Sequence, residues 1–529
     1  MIFKRIICIV MILSVLMLSI GCEKMPESVS SGVVAEKTEK QELRDYITIL
    51  YSAGDSFNPY TAKTNINRQM MTLLYEPLVS VDNEFKAVYR LAESVTLKGK
   101  KCTVKIKDAV FSDGSQVTAD DVVYSCKLAL KSKNSYKTKL YEVKSVNAAG
   151  RRTVEFALSK QDPYFENVLD FPIIKTGSDK ITDSDSVAQP PIGSGRYIVS
   201  DDRKGLEANP RYNGKMGSIK KIRLINAPDS ESVSHYAQIG APDMYYSDIS
   251  DGNILRISGT KLDVNLNNLV YIGINQNKGA LKYNALRQAI STGLDRAKIC
   301  KDYYYNNAVA ATGFFNPAWS AVSSVQNIQI NANSKITVEN LEEIGYNRLD
   351  SKGLRRSKSG SYLSFTMLVN SENRIRVSAA KGIAEQLLSY GIKITVIEKK
   401  FAAYKNAIKS GEFELYLGEV KLTDNMDISC LAAKNGKLAY GQKKNTSKNN
   451  TEKTEKSKVL TTGTHKVLDG FYSGKNSITD LAVVLQTEMP FIPVLYRTGV
   501  LFCNDKIENI NQYSKSDIYF SVDSYKIYQ

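Results

Sequence analysis

The hydrophobic period changes twice between residues 363 and 396. Leu363, Phe365, Met367 and Val369 recur at every second position, which places them on one face of a strand. Ala380, Ile383, Ala384, Leu387 and Leu388 then recur at helical spacing within 376–390, and Ile392, Ile394 and Val396 return to period two. Gly391 stands where the helix must stop and is read as its C-prime residue. A strand–helix–strand run of this length predicts a right-handed crossover joining two parallel strands, and so an α/β fold.

The rest of the chain extends the pattern. Residues 46–51 (YITILY) predict an opening strand, followed by a loop at 53–60 with turn chemistry in Gly54, Asp55, Asn58 and Pro59. A helix is expected over 66–75 and a strand over 101–107. Another helix begins at Thr118, its N-cap, with Asp121 completing a short capping box. Val122, Cys126, Ala129 and Leu130 form its inward stripe. A further helix is expected from Asn284 as N-cap, with Leu286, Ala289, Ile290, Gly293 and Leu294 on one side. Strand signals recur at 268–274, 413–417 and 492–502. With 529 residues and 43% hydrophobic content, the chain has length for about two to four domains with real cores. The reading is a mixed α/β protein with more than one lobe.

The N-terminus reads as an address. Lys4 and Arg5 precede the apolar run 6–18 (IICIVMILSVLML), a length suited to a signal-peptide core and short for a membrane span. Gly21-Cys22 resembles a bacterial lipobox, in which the Cys22 thiol takes a diacylglycerol. Leu18 sits one place earlier than the usual aliphatic position, and a plain secretory signal or an uncleaved anchor are the alternatives. Residues 1–21 are read as the signal peptide and 22–45 as a flexible polar tether. Residues 441–458, without an aliphatic or aromatic side chain, are read as a mobile low-complexity loop.

Composition removes several chemistries. Two histidines, His235 and His465, argue against a His-based metal centre and against a His general base. Seven cysteines without a C-x-x-C pair exclude a zinc ribbon. No phosphate-binding, dinucleotide or zincin motif occurs, so no cofactor or metal is expected. In PIGSGRY (191–197) the glycines flank Ser194 directly, which is the wrong spacing for a nucleophile elbow; a turn that needs glycine dihedrals is the reading. Asp120-Asp121 and Glu342-Glu343 are placed in helix first turns, where they complement the dipole. The formal charge of +16 comes mostly from scattered lysines, so a nucleic-acid partner is not expected. An enzyme is not expected; a secreted hydrolase is the remote alternative.

Five segments in order carry a family resemblance: YEPLVSVD (75–82); Phe111-Ser112-Asp113-Gly114 with Thr118-Ala119-Asp120-Asp121-Val122-Val123-Tyr124-Ser125; PIGSGRY (191–197); Asn209-Pro210-Arg211-Tyr212; and Leu286-Arg287-Gln288-Ala289 with Asp295-Arg296. Together they resemble extracellular solute-binding protein family 5, the oligopeptide- and dipeptide-type receptors of bacterial ATP-binding-cassette importers. The resemblance implies a two-lobed, type II periplasmic-binding-protein-like fold with an extra domain inserted in lobe one. Lobe one would hold 46–80, 190–270 and 490–529, the insertion 81–189, and lobe two 271–489, with crossings near Tyr271–Asn275 and Pro490–Tyr496.

It also implies a monomeric, lipid-anchored receptor on the extracytoplasmic face of the bacterial membrane, which binds peptides in an interlobe cleft and delivers them to permease subunits of the importer. A pheromone sensor, or a binder of nickel complexes, haem or oligosaccharides, is the alternative. In this family an Asp of lobe two commonly takes the peptide amine. Within LYLGEVKLTDNMDIS (415–429), Asp424 fits that position best and Asp427 is the alternative. Many members carry a Trp just before that Asp; here Glu419-Val420-Lys421 stands instead. Phe57, Asn58, Asn275, Tyr496 and Arg497 are further cleft candidates, Arg497 as partner for a ligand carboxylate.

Overall fold

The computed structural model describes residues 42–184, 186–249, 256–323, 329–442 and 463–528. The signal, Cys22, most of the tether and nearly all of the low-complexity loop lie outside the described residues. The described chain begins earlier than the tether reading expects. Leu43 bridges Tyr528, the Arg44 N–H donates to the Ile527 carbonyl, and the Arg44 guanidinium lies 2.6 Å from the Asp243 carboxylate.

Lobe one is built on a four-stranded sheet. Tyr46–Tyr51, with Ile47 and Ile49 fully buried, pairs parallel with Lys221–Asn226; Gly205–Ala208 and Tyr197–Val199 continue the sheet antiparallel. Thr64 caps the helix Asn65–Leu74 that packs beside it. The insertion is an antiparallel sheet of Ala92–Lys98, Lys101–Ile106, Thr153–Leu158 and Val143–Ala148. Helix Ala119–Lys131 covers it and carries the predicted capping box, with Asp121 accepting from the Thr118 N–H and hydroxyl. Val122, Cys126 and Ala129 are buried, with Leu130 at their edge, and this core runs without a break into lobe one.

In lobe two, Ser364–Asn370 pairs parallel with Lys393–Lys399 across helix Arg374–Leu388. Gly391 ends the crossover at φ +78°, a conformation that other residues adopt at a cost. Leu388, expected inward, is half exposed, because Val377, Ala380, Ile383 and Leu387 already fill the contact face. Two long strands, Thr260–Ile274 and Phe491–Cys503, pair antiparallel through both lobes. Their register breaks between Asn265 and Leu269. Val264, Leu266, Leu501 and Cys503 belong to the lobe-one core, while Leu269–Ile274 and Phe491–Tyr496 belong to the lobe-two core. The change of core therefore lies a few residues nearer lobe one than the expected crossings.

Two junctions are made from the motif residues. Gly193 and Gly195 do not need unusual dihedrals, contrary to the turn reading. A Cβ on Gly195 would lie 2.3 Å from the Leu74 carbonyl carbon, and one on Gly193 would lie 2.3 Å from the Leu74 oxygen, so close backbone approach is what excludes a side chain. The Asn209 side chain then donates to the Gly195 carbonyl at 2.8 Å, and the Gly193 carbonyl accepts from the Ser112 N–H at 2.9 Å. In lobe two the buried Arg287 donates to the Leu281, Glu488 and Met489 carbonyls, and Arg296 donates to the Ser291 and Pro493 carbonyls. Helix Asn284–Thr292 starts one residue after its cap, Tyr283, and the Asn284 side chain instead accepts from Arg287. Glu342 and Glu343 close helix Ser334–Glu343 rather than open it, since Asn333 supplies the N-cap; the dipole argument applies to Asp120-Asp121 alone.

Candidate ligand-binding cleft

Strand Leu415–Lys421 leaves the lobe-two sheet and delivers residues 421–424 to the wall of a cavity of about 810 Å³. The other walls come from the first turns of helix Asn65–Leu74, from 227–234, 245–248 and 515–518 of lobe one, and from 134–139, Asp170 and Pro172 of the insertion. The volume lies within the range of small-ligand clefts.

Asp424 is on this wall, and it is engaged. Its carboxylate accepts from the Lys139 ammonium at 2.7 Å, and the same ammonium donates to Asp170. The Asn167 side chain fixes the Asp424 backbone by donating to its carbonyl at 3.0 Å. Burial would lower the Lys139 pKa, but Asp170 and Asp424 together raise it well above the ordinary lysine value, so the side chain is a fixed cation. Burial raises the Asp170 pKa and Lys139 opposes it. One ammonium thus serves two carboxylates, and the second oxygen of Asp170, Oδ1, is buried with no hydrogen-bond partner among the described residues.

Asp427 lies behind the wall. It accepts from the Lys160 ammonium and the Tyr472 hydroxyl at 2.7 Å each, from the Ser429 N–H, and from the Tyr141 hydroxyl. Burial pushes its pKa up, but Lys160 and these hydrogen bonds prevail and hold it at about 2. Beside it the Asn425 side chain donates to Asp162, whose carboxyl burial raises to about 6. Asp424, Asn425 and Asp427 therefore tie lobe two to the insertion.

The other candidates do not line the cavity. The Phe57 ring stacks on Tyr51, and the Asn58 side chain accepts from the Tyr60 N–H inside its own turn. Asn275 donates to the Phe413 and Gly411 carbonyls, and the Tyr496 hydroxyl donates to the Phe314 carbonyl from within the core. Arg497 pairs with Glu419 at 3.0 Å and donates to the Asp248 carbonyl. Neither histidine reaches the cavity. Sequence reasoning missed Lys139, Asp170 and Lys515. Lys421 carried one signal, its place where many family members have a Trp.

A family profile described as "Bacterial extracellular solute-binding proteins, family 5 Middle" matches residues 86–428. The oligopeptide-binding protein AppA of Bacillus subtilis is 28% identical over 414 residues, covering 74% of this chain and 76% of that protein. The solved structure of AppA in complex with a nonapeptide superposes with a TM-score of 0.55 at 20% identity, covering 92% of this chain and all of that one. A nickel ABC transporter structure from Bacillus halodurans superposes at 0.69 with 18% identity and the same coverage. At these identities the structures establish the fold, that of the type II periplasmic binding proteins. The chain belongs to the bacterial extracellular solute-binding proteins, family 5.

Proposed function

We propose that this protein is a lipid-anchored extracytoplasmic receptor that binds peptides between its lobes and delivers them to the permease of an ABC importer. The observation that carries the peptide reading is the shared ammonium. Asp170 and Asp424 line the cavity with a single cation between them and one buried carboxylate oxygen unpartnered. A buried carboxylate oxygen without a donor costs about 1–3 kcal/mol, and a peptide N-terminal ammonium brings the donor that Asp170 lacks. The name of the Bacillus subtilis relative supports the same ligand class. Nickel held by histidine ligands is disfavoured, because His235 and His465 lie away from the cavity.

The two strands that change core at one register break supply a hinge, and closing over the guest converts occupancy into a shape a permease can sense. The guest leaves unaltered. The lipid anchor rests on Gly21-Cys22, and Cys22→Ser should shift the protein out of the detergent phase without changing ligand affinity. A thermal-shift screen with a di- to oligopeptide library tests the ligand class. Bound peptides should raise the melting temperature by mass action. A shift with another solute and with no peptide would contradict the peptide reading.

A further inference from the structure

Charge on the cleft wall is not exhausted by the Asp170–Lys139–Asp424 group. Lys421, the last residue of its strand, lines the cavity without a close ion pair among the described residues; Asp424 and Asp248 attract its ammonium, while burial, Lys139 and Arg68 oppose its charge. Lys515, from lobe one, also lines the cavity. Its ammonium sits 3.3 Å from the Tyr246 hydroxyl oxygen, over that ring, and 3.7 Å from the Asp248 carboxylate. Arg68 adds a third cation, hydrogen-bonded to the Asn65 side chain. Two further acids on the wall have their own duties: Asp517 faces Arg196 and Arg90, and Asp229 caps helix Ser230–Gln238.

We propose that Lys421 and Lys515, one from each lobe, form a subsite for a ligand carboxylate, so that the cleft selects acidic peptides over neutral ones; the peptide part of this inference rests on the function proposed above. Both ammoniums line one cavity and stay below the ordinary lysine pKa despite the nearby Asp248 and Asp424, so a further carboxylate there stabilises their charged forms. Burial, together with Lys421, lowers the Lys515 pKa to about 8, and a bound carboxylate would relieve that strain. Because the two lysines come from opposite lobes, the anion also draws the lobes together.

Isothermal titration of the full chain with Ala-Glu-Ala and Ala-Gln-Ala, each with a free and an amidated C-terminus, separates a side-chain carboxylate from a terminal one. Ala-Glu-Ala should bind about tenfold tighter than Ala-Gln-Ala whether or not the C-terminus is amidated, and a preference that follows the C-terminus alone overturns selection of acidic peptides. In the Lys421→Gln, Lys515→Gln double variant that ratio should fall to about one. The wild-type ratio needs no variant, so misfolding of the double variant cannot hide the answer. A citrate thermal shift provides an arm independent of peptides: the wild type should be stabilised and the double variant not. Peptide binding without charge preference overturns the subsite and leaves the peptide reading. Citrate stabilisation without any peptide binding overturns the peptide reading and leaves the subsite. Neither response overturns both.

Discussion

The junctions inside the lobes and the wall of the cleft use charge in opposite ways. At the junctions Arg287 and Arg296 are buried and spend their donors on backbone carbonyls; they close helix ends and leave nothing for a guest. On the wall Lys139 is shared by two carboxylates, and Lys421 has no close ion pair among the described residues. The five family segments build mainly the first kind of place. PIGSGRY, Asn209 and the Arg287–Arg296 stretch hold backbone against backbone, and of these segments only YEPLVSVD reaches the cavity, through Tyr75, Pro77 and Ser80. The segments that identify the family therefore fix the frame, and the ligand is left to residues outside them.

Breaking the frame should affect folding most. Arg296→Ala leaves the Pro493 and Ser291 carbonyls without a buried donor and should cost about 4 kcal/mol in urea unfolding. Gly195→Ala drives a methyl into the Leu73–Leu74 backbone and should cost about 3 kcal/mol by the same measurement. Either variant unfolding like the parent would remove the junction from the account. On the wall the balance reverses. Asp424→Ala should weaken peptide binding by about 2–3 kcal/mol in calorimetry, while Lys139 keeps Asp170 as partner. Unchanged affinity would take the amine role from Asp424.

The smallest effect concerns the group behind the wall. Asp427 is held at about 2, below its ordinary value, so the stability it contributes is present above about pH 4 and is lost as pH falls from 4 to 2. The expected amount is about 2 kcal/mol, and Asp427→Asn should flatten this acid limb of the stability profile. Asp162, raised to about 6, acts with the opposite sign: its folded state favours the proton, so its contribution declines as pH rises from about 4 to 6. An acid limb that survives in Asp427→Asn would assign it to other carboxylates.

What could be read from the sequence follows the range of each interaction. The strand at 46–51, the crossover at 363–399 and the Thr118–Asp121 box are set by residues within a few positions of one another, and they appear where local period and capping place them. Periodicity alone makes the inward face of helix Arg374–Leu388 one residue too wide, because it does not report how much surface the neighbouring strands cover. Lys139 gave no local signal at all. Its partners lie 31 and 285 residues away, and it stands in a run of lysines that reads as solvated surface. Asp424 emerged only through resemblance. Tyr496 and Arg497 are cleft candidates by their place at the second crossing; the long strand buries the first in the core and pairs the second with Glu419.

The central claim is that a hinged cleft holds a peptide and releases it intact. Native mass spectrometry of the full chain, incubated with a defined peptide mixture and then denatured, tests it most directly. One peptide per protein should be recovered, at its original mass. No retained peptide, or peptides recovered as fragments, would contradict it.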